Sequence, residues 1–401
     1  MKIYAQHGFK ASDKVWEGLR NHIIDGVIYG AKDISPSQLQ RELVQVVAEH
    51  PESTRLFDPH YYATLIASDL GARLGNLVGD DGYPYFHAHM RRDLEQTDEI
   101  NKDIRACLEF QAGLDLTAFI SPNIVIRRSF DSIEGVIAKN FIRNSFTQAK
   151  KINSQMPVYA TLAVSEKALG DMDELSTFLQ EITEMNDPPL GFYLLLEKPD
   201  TTPPPYLVEQ NTLTRWMLVN YALKINGFEV INGYTDLLAP YIAATGADAV
   251  GTGWFGTLKS FSLQRFRPPI SRIIKQPIPR YTSVNLLKSI RYTEYDSLRQ
   301  VIPEVFDGEP DYDYYPQDRA PTPVEEILQN WEALRAMITR CAHDQADVSK
   351  ALRDCAAALD VATECYAEID RLGIPLRDRS NSQHINVIRE ELDEFKKLAE
   401  L

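Results

Sequence analysis

Eight short apolar runs alternate with stretches of helical spacing across roughly the first 255 residues, and this alternation limits the folds open to the chain. The runs cover residues 2–8, 26–33, 55–62, 116–126, 158–165, 192–198, 229–234 and 248–255. Between them, apolar residues return at three- and four-residue steps. Leu39, Leu43, Val46 and Val47 share one helical face, as do Ile133, Ile137 and Phe141. Ser35-Pro36 reads as a helix start, and Pro188-Pro189 as a stop. Eight strand–helix units predict an α/β fold of the TIM-like (β/α)8 barrel type. A doubly wound sheet is the competitor. It usually carries a glycine-rich first turn, whereas this first turn reads Gln6-His7-Gly8-Phe9.

The texture divides the chain into three parts. Residues 1–258 predict the barrel. Residues 259–322 predict a basic segment and linker, and residues 323–401 a helical extension. In that extension Ile327, Trp331, Leu334 and Ile338 mark one helical face, and a last helix is expected near residues 386–398. These C-terminal helices suit a cap or a homo-oligomer contact, with too few heptads for a long coiled coil. No apolar run approaches the roughly 18 residues of a membrane span, so no membrane is expected as a partner. The N-terminus lacks a signal-peptide apolar core. The four cysteines form no C-x-x-C pair, which argues against a structural zinc site or a disulfide framework. A cytoplasmic location is the expectation.

In such barrels chemistry sits at the C-terminal strand ends. Asp58 follows Arg-Leu-Phe in the third run and precedes Pro59, where the strand is expected to stop. A carboxylate there can serve as base, nucleophile or ion-stabilising group, and Asp-Pro is also a common turn pair. Glu197 ends an apolar run, and Asp33 ends the second. These three are the candidate catalytic residues. Gln6, His7, Tyr29, His60, Tyr61, Asn123, Asn232, Tyr234, Trp254 and Phe255 are the candidate substrate contacts. Trp254 and Phe255 are placed to stack on a planar ring. Gly233, Gly251, Gly253 and Gly256 let backbone approach a ligand phosphate in the seventh and eighth units. His87-Ala-His89 lies in the long connection after the third run rather than at a strand end. No metal and no cofactor is therefore expected.

Net charge is −15, yet residues 249–293 hold eight cations and no acid. Such a window reads as a polyanion-binding surface. Lys259, Arg265, Arg267, Arg272, Lys275 and Arg280 belong to it. Arg91 and Arg92 in the long connection would complement it, beside Tyr83, Tyr85 and Phe86. The alternative is pairing with acidic groups of the same protein.

The stretch 230–261 resembles the seventh and eighth strands of tRNA-guanine transglycosylases, and still more their DNA-acting 7-deazaguanine relatives. The order of parts also matches: a barrel, a basic segment, then helices. The resemblance implies DNA as partner and a base-removing activity, related to phage-defence glycosylases that excise glucosylated hydroxymethylcytosine. The target base would be flipped into the barrel mouth. Where the family has Asp-Ser-Gly-Gly-Phe, this chain has Asp58-Pro-His-Tyr. The family's eighth-strand nucleophile falls near Gly251, and the zinc-binding cysteines are missing. Hydrolysis by a carboxylate-activated water survives that loss better than base exchange. The alternatives are a base-exchanging transglycosylase on DNA or tRNA, an FMN or phosphate-ligand barrel enzyme, and a non-catalytic nucleic-acid-binding barrel.

Overall fold

The computed structural model describes residues 1–401 except 12, 200–208, 269–276 and 378. The barrel strands are β1 (Lys2–Gln6), β2 (Gly26–Gly30), β3 (Thr54–Asp58), β4 (Phe119–Ile120), β5 (Val125–Ile126), β6 (Val158–Ser165), β7 (Gly191–Glu197), β8 (Glu229–Asn232) and β9 (Ala249–Thr252). Their pairing is parallel throughout, in the order β3-β2-β1-β9-β8-β7-β6-β4. β5 also pairs with β6, so β4 and β5 share one barrel position and the run 116–126 is interrupted. Pairing of β1 with β9 joins first strand to last. The seam between β3 and β4 is held by Arg55 and Thr117: the Arg55 N–H donates to Thr117 Oγ1, and the Thr117 N–H to the Arg55 carbonyl. The result is a nearly closed (β/α)8 barrel of the TIM type, as the alternation predicts.

The barrel helices are α1 (Asp13–Arg20), α2 (Pro36–Glu49), α3 (Thr97–Ala112), α4 (Ile133–Ile152), α5 (Met172–Thr183), α6 (Thr212–Ile225) and α7 (Ala239–Ala243). Local chemistry sets their starts. Ser35 accepts the Gln38 N–H while the Gln38 side chain accepts the Ser35 N–H, with Pro36 at the first helical position. Leu39, Leu43 and Val46 are buried beneath this helix.

After β9 come a short α8 (Gly256–Lys259), a two-stranded antiparallel ribbon of β10 (Arg280–Ser283) and β11 (Lys288–Arg291), and α9 (Tyr292–Val301). Three long helices complete the chain: α10 (Pro323–Cys341), α11 (Val348–Arg371) and α12 (Gln383–Leu398). They do not stand apart from the barrel. Trp331 of α10 is fully buried and donates to the Thr252 carbonyl of β9. Arg335 reaches Asp25 and the Ile23 carbonyl. Glu391 of α12 accepts the N–H and hydroxyl of Thr214 on α6. One hydrophobic core therefore runs from barrel to tail. Among the described residues no helix is long and apolar enough to cross a membrane.

Candidate active site at the barrel mouth

Asp58 is the last residue of β3. Side chains alternate along a strand, so Phe57 faces outward onto Tyr83, Tyr85 and Phe110 while Asp58 faces the lumen. Its Oδ1 accepts the His60 backbone N–H at 3.0 Å. That closes a tight turn in which His60 takes a left-handed backbone, φ 50°. Its Oδ2 accepts the hydroxyls of Tyr62 at 3.1 Å, Tyr193 at 3.2 Å and Tyr234 at 3.5 Å. The carboxylate thus caps its own turn and also collects a ring of donors.

All five of these residues are buried. Burial pushes the Asp58 carboxyl up to about 6, against the pull of the His60 N–H and the Tyr62 hydroxyl. Burial drives His60 well below the usual imidazole range, and Arg265 and Lys32 push it the same way. The neutral tautomer follows from its partners. Nδ1 accepts the Lys32 backbone N–H at 3.0 Å, so the ring proton is on Nε2. That Nε2 lies 3.2 Å from the Tyr234 hydroxyl and 3.6 Å from Asp58 Oδ2. Burial also raises Tyr62, Tyr193 and Tyr234, which keeps them protonated donors.

The segment 260–267 folds back across this cluster. Phe261 bridges to Glu197 beside β7, and the Lys198 N–H donates to the Phe261 carbonyl. The Phe261 ring meets Tyr62 at 4.7 Å and Tyr234 at 5.6 Å. Phe266 packs edge-on to His60 and Tyr62. Arg265 donates to Asp33 Oδ2 at 2.5 Å and to the Tyr234 hydroxyl at 3.1 Å. Its side chain is only 5% exposed. Arg265 therefore cannot sit on an exposed polyanion surface, as its place in the basic window predicts. It is spent on Asp33 inside the mouth, and Asp33 becomes its anchor rather than an open carboxylate. Glu197 is buried at the same rim, and burial raises its carboxyl.

The remaining candidates divide by the direction of their strand positions. Gln6 faces the lumen, where a Cβ on Gly251 would come within 3.0 Å of its Oε1. A Cβ on Gly233 would meet the Tyr193 hydroxyl at 2.6 Å. These two glycines thus make room for the protein's own side chains, not for a phosphate. Gly253 likewise clears the Gln6 carbonyl and Leu258. Five candidates turn outward, away from the mouth. Tyr29 packs against His7, whose Nε2 lies 3.5 Å from Glu42 of α2. Asn232 is locked to Trp216 and Asn220 of α6. Asn123 ties the split strand to the carbonyls of Thr161 and Ala138. Tyr61 donates to Asp103 of α3. For His7, Tyr29, Asn232, Asn123 and Tyr61 the even-odd alternation of the strand, or the turn that follows it, places the side chain away from the lumen.

Trp254 and Phe255 stay partly exposed at the end of β9. They line a cavity of about 310 Å3 between the barrel and the ribbon, together with Lys259, Arg280, Lys288 and Arg379. Asp236 and Glu326 are the acids on its wall. Lys259 lies 3.2 Å from Asp236, and Arg280 donates to the Ser289 carbonyl. Burial, with Arg280 close by, brings Lys288 down to about 7. Arg267 lies 3.6 Å from Asp69 at the surface. Arg91 and Arg92 are exposed on a short turn, beside Glu95 and Asp93. Arg272 and Lys275 fall outside the described residues. The cations are therefore split among the mouth, the cavity and the surface.

Tyr62 and Tyr193 were not among the sequence candidates. Tyr193 shares its strand face with Glu197, four residues on, and that parity was a usable signal. Tyr62 lies beyond the strand end, where no periodicity applies.

No family model matches the chain, and no curated protein matches it. Among solved structures, a xylanase 10B from Thermotoga maritima is similar at 9% identity and TM-score 0.37, covering 67% of this chain and 91% of that one. Dihydrodipicolinate synthases are similar at 11% identity and TM-score 0.31. The one from Bacillus clausii covers 100% of this chain and 98% of its own, and that from Oceanobacillus iheyensis 99% and 96%. The named neighbours are enzymes, but likeness at this level transfers no activity, and the barrel assignment rests on the strand pairing itself.

Proposed function

We propose that this protein is an enzyme that removes a base from nucleic acid by hydrolysing its N-glycosidic bond, with Asp58 as the working carboxylate. The observation that carries this reading is the caged carboxylate itself: lumen-facing, ringed by tyrosine hydroxyls and raised to about 6. Above that pH it is ionised. An anion in a dry site stabilises the positive charge that develops at the sugar carbon as the bond to the base breaks. It also accepts the proton of the attacking water. Glu197, raised by burial on the same rim, is the second carboxylate. Substrate entry requires the segment 260–267 to lift, since Phe261 and Phe266 cover the cluster.

The cavity beside β9 supports a nucleotide substrate. Its Trp254 and Phe255 suit a planar base, and Lys259, Arg280 and Arg379 suit phosphate. DNA is taken over tRNA, with a modified phage base as target, on the resemblance to the transglycosylase superfamily.

The test is base release. The full chain is incubated with unmodified DNA, with DNA carrying glucosylated hydroxymethylcytosine or 7-deazaguanine, and with tRNA. Free base is read by mass spectrometry, and abasic sites by alkali cleavage. Release from one substrate, lost in Asp58→Asn, supports the proposal. No release from any of them overturns it. A second reading, a small phosphate-bearing ligand such as a flavin, is favoured by the modest size of the cavity. Visible absorbance of the purified protein separates it from the first.

A further inference from the structure

We propose that His87, His89 and Asp103 form a binding site for one divalent first-row transition-metal ion. This inference does not depend on base removal. The three residues come from two places in the sequence. His87 and His89 lie in the long connection after β3, and Asp103 lies on α3. Their ligand atoms all fall within 4.8 Å of one another. His89 Nε2 is 2.9 Å from Asp103 Oδ2, and His87 Nε2 is 3.7 Å from Asp103 Oδ1. Two imidazoles and one carboxylate are the donor set of open zinc and iron(II) sites.

Hydrogen bonding leaves part of this cluster unexplained. Asp103 is 1% exposed and His89 8%. Yet His89 Nε2 and Asp103 Oδ1 are buried without a hydrogen-bond partner. His89 Nε2 lies 2.9 Å from Asp103 Oδ2 without making a hydrogen bond, and the ligand atoms of the cluster stay within 4.8 Å of one another. A cation between them satisfies both. The Tyr61 hydroxyl donates to Asp103 Oδ2 at 2.5 Å, as outer-shell groups do when they orient a ligating carboxylate.

The backbone fixes the histidines from the other side. The Thr64 hydroxyl donates to the His87 carbonyl, and the His89 N–H donates to the Thr64 carbonyl. The rings of His87 and His89 sit 4.3 Å apart. His87 is half exposed, which leaves one side of the site open to water or an added ligand. A bound ion would pin the connection 63–96 to α3, and through Tyr61 to the His60 turn beside Asp58.

The test uses the full chain, free of affinity tag and stripped with chelator. It is titrated with Zn2+, with Mn2+, with Co2+, and with Fe2+ in the absence of oxygen. Metal content after dialysis is read by mass spectrometry, and Co2+ binding by visible absorption. One tightly held ion per chain is expected, from whichever of these metals. His87→Ala removes a half-exposed ligand and should leave the circular dichroism unchanged, while weakening metal at least about 10-fold. Tyr61→Phe should weaken it about 10-fold, the lower end for outer-shell partners. His22→Ala, remote from the cluster, should bind as the parent does. Failure of every metal to bind stoichiometrically would overturn the site. So would His87→Ala and Asp103→Asn variants that fold and bind as the parent does.

Discussion

The end of β3 and the end of β9 occupy the same face of the barrel, and their surroundings differ. At β3, Asp58 is enclosed by tyrosines, His60 and the folded-back segment 260–267. At β9, Trp254 and Phe255 open onto a cavity whose wall carries Lys259, Arg280, Lys288 and Arg379 beside the acids Asp236 and Glu326. Enclosure changes the chemistry of a carboxylate by removing water from its charge. Openness leaves room for a ligand to be held. On the proposed reading the barrel separates the reacting group from the recognising surface, and the segment 260–267 runs from the end of α8 back across the Asp58 cluster.

The largest expected effect falls on the enclosed side. Asp58→Asn should reduce base release by roughly 10^2- to 10^4-fold, measured as initial rate on the preferred substrate. It should also raise stability above pH 6. The Asp58 carboxyl is about 6 when folded and 3.8 when free, so its contribution to stability is present below 3.8 and lost as pH rises through 6. That loss is roughly 3 kcal/mol. Thermal melts at pH 7.5 should therefore show the variant as more stable than the parent. A variant that is less stable at that pH would mean the carboxylate is held by its hydroxyl ring more favourably than burial opposes it.

Arg265→Ala comes next. It leaves Asp33, whose side chain is 12% exposed, without its partner and removes a donor to Tyr234. Breaking a buried pair costs about 3–5 kcal/mol, read as a lower denaturation midpoint in urea. Were Arg265 a nucleic-acid contact instead, binding would fall and the midpoint would hold. Phe261→Ala should cost about 3–4 kcal/mol, since the ring is buried between Tyr62 and Tyr234. Uncovering the cluster should also bring the Asp58 titration back toward the ordinary carboxylate range, visible as an acid shift of the pH–rate profile.

The smallest effect belongs to the open side. Arg379 lines the cavity and is exposed. Arg379→Ala should leave the melting temperature unchanged and flatten the salt dependence of DNA binding by about one unit of log–log slope. A loss of stability instead would place Arg379 in the fold rather than at a ligand.

Much of the barrel was legible because strand and helix leave different periods in a sequence. The eight runs carry the strands, and β6 matches its run residue for residue. The exception is instructive: the run 116–126 splits into β4 and β5 around Asn123, whose side chain takes up the carbonyls of Thr161 and Ala138. Asp58 was legible because a polar residue ending an apolar strand before proline has few other places to be. Which neighbours it would meet was not, because Tyr193 and Tyr234 lie more than 130 residues away. The basic window misled at Arg265, since a run of cations records composition and not exposure.

Strand period, helix starts and the position of Asp58 at a strand end are local properties, written in near-neighbour residue types, and the sequence by itself determined them. Tertiary structure decided the rest: the tyrosine ring around Asp58, the turning inward of Arg265, and the meeting of His87 and His89 with Asp103. Each of those depends on closure of the barrel and docking of its connections. Those events set burial and distance, and with them the charge state of every group in the mouth.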